Sequence, residues 1–148
     1  VLPHAALVTP SWPDEIGTLI NSSCGETSAP APISTHDPAL GPAAAVAALR
    51  ALGAADVALT RGADGVLLTR GDDLLAVTAP APPRVVDQTG AGDSFAGTVV
   101  GRLAAGDDLQ SAVRLGVAAA ALSVQGQGGT GFVPTLEQTR VHALGDQP

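Results

Sequence analysis

The stretch Asp87-Gln88-Thr89-Gly90-Ala91-Gly92-Asp93-Ser94-Phe95 sets two glycines and an acid where the short apolar run Arg84-Val85-Val86 gives way to a helical pattern. A turn of this kind exposes the unpaired N–H groups of a first helical turn, and its glycines admit an anion with no Cβ in the way. A phosphoryl group suits such a place. The N–H groups of Gly90, Ala91 and Gly92 could then stabilise charge developing on a phosphoryl in transfer, a reaction in which the protein does little covalent chemistry. Asp93, facing the same space, could accept the proton of an attacking hydroxyl; as a simple helix N-cap it would have no chemical part, and the two roles are compatible. Asp87 could hold the turn by accepting backbone N–H groups or bind hydrated Mg²⁺ through water. Thr89 divides in the same way between bracing the turn and touching phosphate.

These residues need a scaffold, and the pattern supplies one. Phe95, Val99 and Leu103 recur every four residues and predict a helix over 94–105 with one buried stripe. Gly106-Asp107-Asp108 breaks it and caps a second helix over 109–124, with Leu109, Val113, Val117 and Ala121 inward. That helix is apolar nearly all round after Leu115, as an enclosed helix is. Upstream, an alanine-rich helix over 43–52 stops at Gly53. Strands follow at 56–60, 66–69 and 74–77, with turns at 61–65 and 71–73. Pro80, Pro82 and Pro83 exclude a central strand there. A last surface helix is expected over 135–144 after a glycine-rich loop at 125–131. Residues 5–9 resemble a short buried strand, 11–20 a short helix with Ser11 as cap and Asp14 and Glu15 in its first turn, and 21–42 a long loop.

The chain has 148 residues and a formal net charge of -7, its positive charge coming from arginine alone. No Lys/Arg cluster follows a phosphate backbone, so neither nucleic acid nor an acidic membrane is an expected partner. Cys24 is the only cysteine, which excludes an intrachain disulfide and a cysteine metal cluster. His4, His36 and His142 lack ligand-like spacing. With no signal-like segment and no long apolar run, a soluble, cytoplasmic protein is expected. Aromatic residues are confined to Trp12, Phe95 and Phe132, so the core must be built of Ala, Val and Leu.

The stretch Val86 to Gly97 resembles the second conserved motif of the PfkB, or ribokinase-like, carbohydrate kinases, since it combines the turn, the acid and the following Phe-Ala-Gly. Thr60-Arg61-Gly62-Ala63-Asp64-Gly65 resembles that family's nucleotide-side strand and turn. Residues 115–136 resemble its C-terminal helix and the loop flanking adenine. In wording the chain is nearest to ketodeoxygluconate, ribose and fructose kinases. The resemblance implies an α/β fold, a three-layer ribokinase-like (Rossmann-like) sheet flanked by helices and incomplete without an N-terminal half. Residues 1–148 would then be the C-terminal nucleotide-binding and catalytic portion. It further implies ATP-dependent phosphoryl transfer to a small sugar, with Asp93 as base and Gly90, Ala91 and Gly92 as anion hole. Thr60, Gly62, Gly65, Thr89 and Gly128 would serve the nucleotide, and Mg²⁺ would bridge the phosphates.

Three departures qualify what is expected. Many members organise Mg²⁺ with an Asn-x-x-Glu segment, where this chain reads Ser11-Trp12-Pro13-Asp14 and then Glu15, so Asp14, Glu15 and Asp87 are the candidate metal residues. Members often bind a monovalent cation such as K⁺ through carbonyls near 87–89 and 128–132, and Phe132 stands where several of them have a hydroxyl. The family usually runs to about twice this length, and its front half carries most sugar contacts and a lid sheet that often makes a homodimer. From the start Val1-Leu2-Pro3, a fragment of a longer chain is expected. The competing functional reading is an inactive nucleotide-binding module with a regulatory or structural role.

Overall fold

A computed structural model describes residues 5–13, 15–16 and 41–145, and it divides into two compact units. Residues up to Gly62 together with Leu67–Ala76 form the first, and Ala63–Val66 with Val77 onward form the second.

The first unit is a four-stranded sheet of β1 (Leu7–Val8), β2 (Asp56–Thr60), β3 (Val66–Arg70) and β4 (Asp73–Val77), paired in that order, with the helix α1 (Pro42–Ala51) against β2. β1 runs parallel to β2, with Leu7 opposite Asp56 and Val8 opposite Val57. β3 and β4 are joined by two residues only, which allows no parallel crossover, and Gly71 there takes a left-handed φ of 59°. The Arg50 guanidinium donates to the Gly71 carbonyl and so ties α1 to this turn. Ala45, Val46 and Leu49 recur on one face of α1 and are buried with Ile16, Ala54, Val57 and Leu59. Within the sheet, the buried Thr69 hydroxyl accepts from the Val57 N–H at 3.0 Å and donates to Asp56 at 3.1 Å.

Sequence and structure part company near the front. Ser11 bridges to Thr60, Trp12 N–H donates to the Thr60 carbonyl, and the Trp12–Pro13 peptide is cis; the chain is helical at Ile16, and the rest of the expected helix, 17–20, lies outside the described residues. The Ser11 carbonyl also accepts from the Glu15 N–H at 3.1 Å. Glu15 reaches back to the Ser11 N–H at 2.9 Å. Asp14 and the expected loop over 21–40 lie outside the described residues, and the loop's expected end at Pro42 is instead the first residue of α1.

The second unit is helical: α2 (Ala91–Ala104), α3 (Leu109–Ser123) and α4 (Leu136–Leu144), with α3 packed on both others. Phe95 and Val99 are the buried members of the α2 stripe. They meet α3 at Gly116, where a Cβ would fall 2.7 Å from Val99 Cγ2 and 2.9 Å from Phe95 Cδ2, so glycine is what lets the helices approach this closely. From Gly116 to Val124 every residue but Ala120 is buried, as the apolar run implied. Asp108 caps α3 by accepting from the Ser111 N–H, and Arg102 grips Asp107 through two hydrogen bonds of 2.7 and 2.8 Å. Thr135 and Gln138 make a reciprocal capping box on α4.

Candidate functional site

The expected helix start at Ser94 lies three residues too late, because α2 begins at Ala91 with Gly90 as its N-cap. Gly90 and Gly92 argued for loop in the sequence, yet only Gly90 uses glycine's freedom, with φ of 79°. Its place is enforced from outside as well. A Cβ on Gly90 would stand 2.6 Å from Gly129 Cα, so the turn and the 126–131 loop touch backbone to backbone.

A single carboxylate joins these two stretches. Asp87 Oδ1 accepts from the Thr89 N–H at 2.9 Å and the Thr89 hydroxyl at 2.7 Å, while Oδ2 accepts from the Gly128 N–H at 2.8 Å. The Thr89 N–H first, then the Thr89 hydroxyl and the Gly128 N–H, hold the Asp87 carboxyl below the usual carboxylate range. Main-chain bonds from Val86 and Asp87 to the Val124 carbonyl, at 2.8 and 3.2 Å, fix the same stretch to the end of α3.

At the helix start, Ala91 N–H donates to Gln88 and Ser94 N–H to Gly90, whereas the N–H groups of Gly92 and Asp93 have no partner among the described residues. Gly90 supplies no side-chain cap, so nothing competes for those donors. Of the expected anion-hole residues, Gly92 therefore presents a free donor and Ala91 a bonded one, and the Asp93 N–H adds a donor the sequence reading missed. The third residue of the helix is Asp93, so it is not the N-cap. Its exposed side chain makes no hydrogen bond or ion pair among the described residues. Unpartnered N–H groups at the positive end of a 14-residue helix favour a bound anion, and a free carboxylate beside them can take up a proton.

Asp87, Thr89, Gly90 and Gly128 are thus brought together. Gly65 belongs to the same unit and takes φ of 78°, with a Cβ excluded by the Val77 carbonyl at 2.0 Å; its part is to seat the chain against 77–79. Thr60, Gly62 and Glu15 belong to the first unit. There Thr60 donates its hydroxyl to the Pro10 carbonyl at 3.2 Å, and Gly62 opens a short 3₁₀ turn with φ of 57° and free space around its Cα. Two glycines that the sequence reading left unassigned, Gly126 and Gly131, prove constrained by their surroundings, while Gly128 is constrained by its φ of 70°. A Cβ on Gly126 or Gly131 would lie 2.3 or 2.2 Å from loop backbone. Glycine density in Gly126-Gln127-Gly128-Gly129-Thr130-Gly131 was the available signal. Among the described residues, no three His, Cys, Asp or Glu side chains gather as metal ligands.

The pfkB family carbohydrate kinase profile matches residues 27–136. The chain belongs to that family. In its solved relatives the α/β ribokinase-like fold recurs. Ribokinase from Thermotoga maritima is 27% identical with a TM-score of 0.75, over 98% of this chain and 44% of its own. Ribokinase from Cryptococcus neoformans, in complex with ADP, is 27% identical with a TM-score of 0.72, over 95% and 46%. Phosphofructokinase-2 from Escherichia coli, in complex with potassium, is 25% identical with a TM-score of 0.67, over 93% and 40%. The chain therefore spans less than half the length of these relatives. No curated protein sequence matches it.

Proposed function

We propose that the protein transfers the γ-phosphoryl group of ATP to a hydroxyl of a small sugar or sugar acid. The observation that carries this reading is the start of α2, where free N–H groups of Gly92 and Asp93 stand beside the unpartnered Asp93 carboxylate. Asp93 accepts the sugar hydroxyl proton as that oxygen bonds to the γ-phosphorus; the bond from phosphorus to the β,γ-bridging oxygen breaks, and ADP leaves with the electron pair. The N–H groups of Gly92 and Asp93, in the anion hole that Gly90, Ala91 and Gly92 shape, stabilise the charge on the equatorial oxygens. Thr60, Gly62, Gly65, Thr89 and Gly128 serve the nucleotide.

Mg²⁺ would neutralise the phosphates. It commonly keeps several waters and needs only one or two carboxylates, so Asp14 and Glu15 are adequate candidates without a dedicated cage, whereas both oxygens of Asp87 are already taken by Thr89 and Gly128. A monovalent cation such as K⁺ would draw on carbonyls of 87–89 and 128–132, two stretches that the Asp87 carboxylate already links. The sugar is the small-molecule partner, and the cytoplasm is the proposed setting. No helix among the described residues is long and apolar enough to cross a membrane.

Replacing Asp93→Asn in the full-length protein is expected to abolish sugar-dependent ATP consumption and to leave ATP affinity within about twofold. Unaltered turnover refutes the assigned base. A nucleotide-binding module without transfer is the second reading, favoured by Ser11 standing where many members of the family have the Asn of their Asn-x-x-Glu segment. Nucleotide binding with no turnover on any of a panel of sugars would establish it.

A further inference from the structure

The loop from Gly126 to Gly131 has no regular secondary structure, and its internal contacts are made with itself: Gly131 N–H to the Gly128 carbonyl, and the tight approaches of Gly126 and Gly131 to their own loop backbone. Its tie to the start of α2 is one side-chain bond, from the Gly128 N–H to Asp87 Oδ2 across 41 residues of sequence. Where that bond holds it, Gly129 lies against Gly90, the N-cap of the helix, and the exposed Gly92 and Asp93 follow within its first turn. We propose that Asp87 is a positioning residue for phosphoryl transfer, its carboxylate fixing the 126–131 loop against the helix start so that Gly129 backbone walls one side of the anion-binding space. This rests on the transfer reading above. It departs from a merely local role, because Oδ1 already satisfies the turn through Thr89 and the second oxygen is spent on the distant loop.

Asp87→Asn separates the two oxygens. The amide keeps an acceptor for Thr89 and turns a donor toward the Gly128 N–H, so the turn survives and the loop is released. In the full-length protein, amide hydrogen exchange over 126–131 is expected to quicken about tenfold or more while α3 amides keep their protection. With it, kcat should fall on the order of tenfold to a hundredfold and KM for the sugar should stay within about twofold, since the anion space and not the sugar is disturbed. Asp87→Glu, which restores two acceptor oxygens, should recover most of the loop protection and part of kcat; it also serves if the Asn variant fails to fold. Asp107→Asn, which breaks an ion pair elsewhere in the same unit, controls for general loosening and should change neither loop exchange nor kcat. The proposal is overturned if kcat falls with loop exchange unaltered, for Asp87 would then act directly on ligand or cation. Loop release with full activity overturns it equally. A wild type that consumes no ATP with any sugar sinks the transfer reading instead, and the exchange data still report whether the latch exists.

Discussion

Gly90 is required twice over, by a backbone conformation and by a neighbour. A left-handed φ costs an alanine about 1–2 kcal/mol, and at this position the new methyl must also displace Gly129. Gly90→Ala should therefore destabilise the protein by at least that amount and weaken ATP binding, read by urea unfolding and by calorimetric titration. Gly92→Ala provides the contrast, since nothing lies within 4 Å of its Cβ and its φ is ordinary. It should leave stability unchanged or raise it by about 0.5–1 kcal/mol, the usual helix-interior gain over glycine. Two glycines of one motif thus carry different burdens: one admits a neighbouring backbone, the other leaves open room for a ligand.

At the scale of elements, stability of the helices rests on caps as well as on the α2–α3 contact. The capping box of α4 satisfies two backbone donors through Thr135 and Gln138. Thr135→Ala is expected to cost about 1 kcal/mol, seen as a lower urea midpoint, with Thr135→Ser close to wild type. Caps and strands of this kind were legible in the sequence, because Gly53, Gly71 and Asp108 punctuate runs whose period is unambiguous. Three things were not. The start of α2 was hidden by Gly90 and Gly92, whose composition argues for loop although a helix tolerates the second. The front segment Ser11 to Glu15 shows its helix-start chemistry, but the pairing of Ser11 with Thr60 is hidden, since no local pattern encodes a partner 49 residues away. The acid and the glycine turn of the site could be read, but the bond from Asp87 to Gly128 joins stretches whose nearness only the packed helices determine.

For the molecule as a whole, acidity works in two directions. Asp87, Asp107 and Asp108 are all held below the usual carboxylate range, by Thr89, by Arg102 and by the Ser111 hydroxyl respectively, with lesser contributions from other bonds. Depressed carboxyl values in the folded state add stability that is present above the ordinary aspartate value of about 4 and lost as pH falls through the folded values. Against this, the net charge of -7 shrinks toward zero near pH 4.5, which relieves self-repulsion first. Urea midpoints at low salt should hold or rise slightly from pH 7 to about 5 and then drop steeply below about 4; added salt should flatten the rise and spare the drop. The scarcity of aromatic rings has its own effect. With Phe95 and Val99 seated in the notch that Gly116 leaves, the rotation of α2 about its long axis is set at one glycine. Asp93 precedes that ring by two residues on the same helix, so the bearing of its carboxylate is indexed by a glycine on a different helix. Any side chain grown at 116 would roll α2 like a key in a lock and swing the carboxylate at 93 off its present bearing.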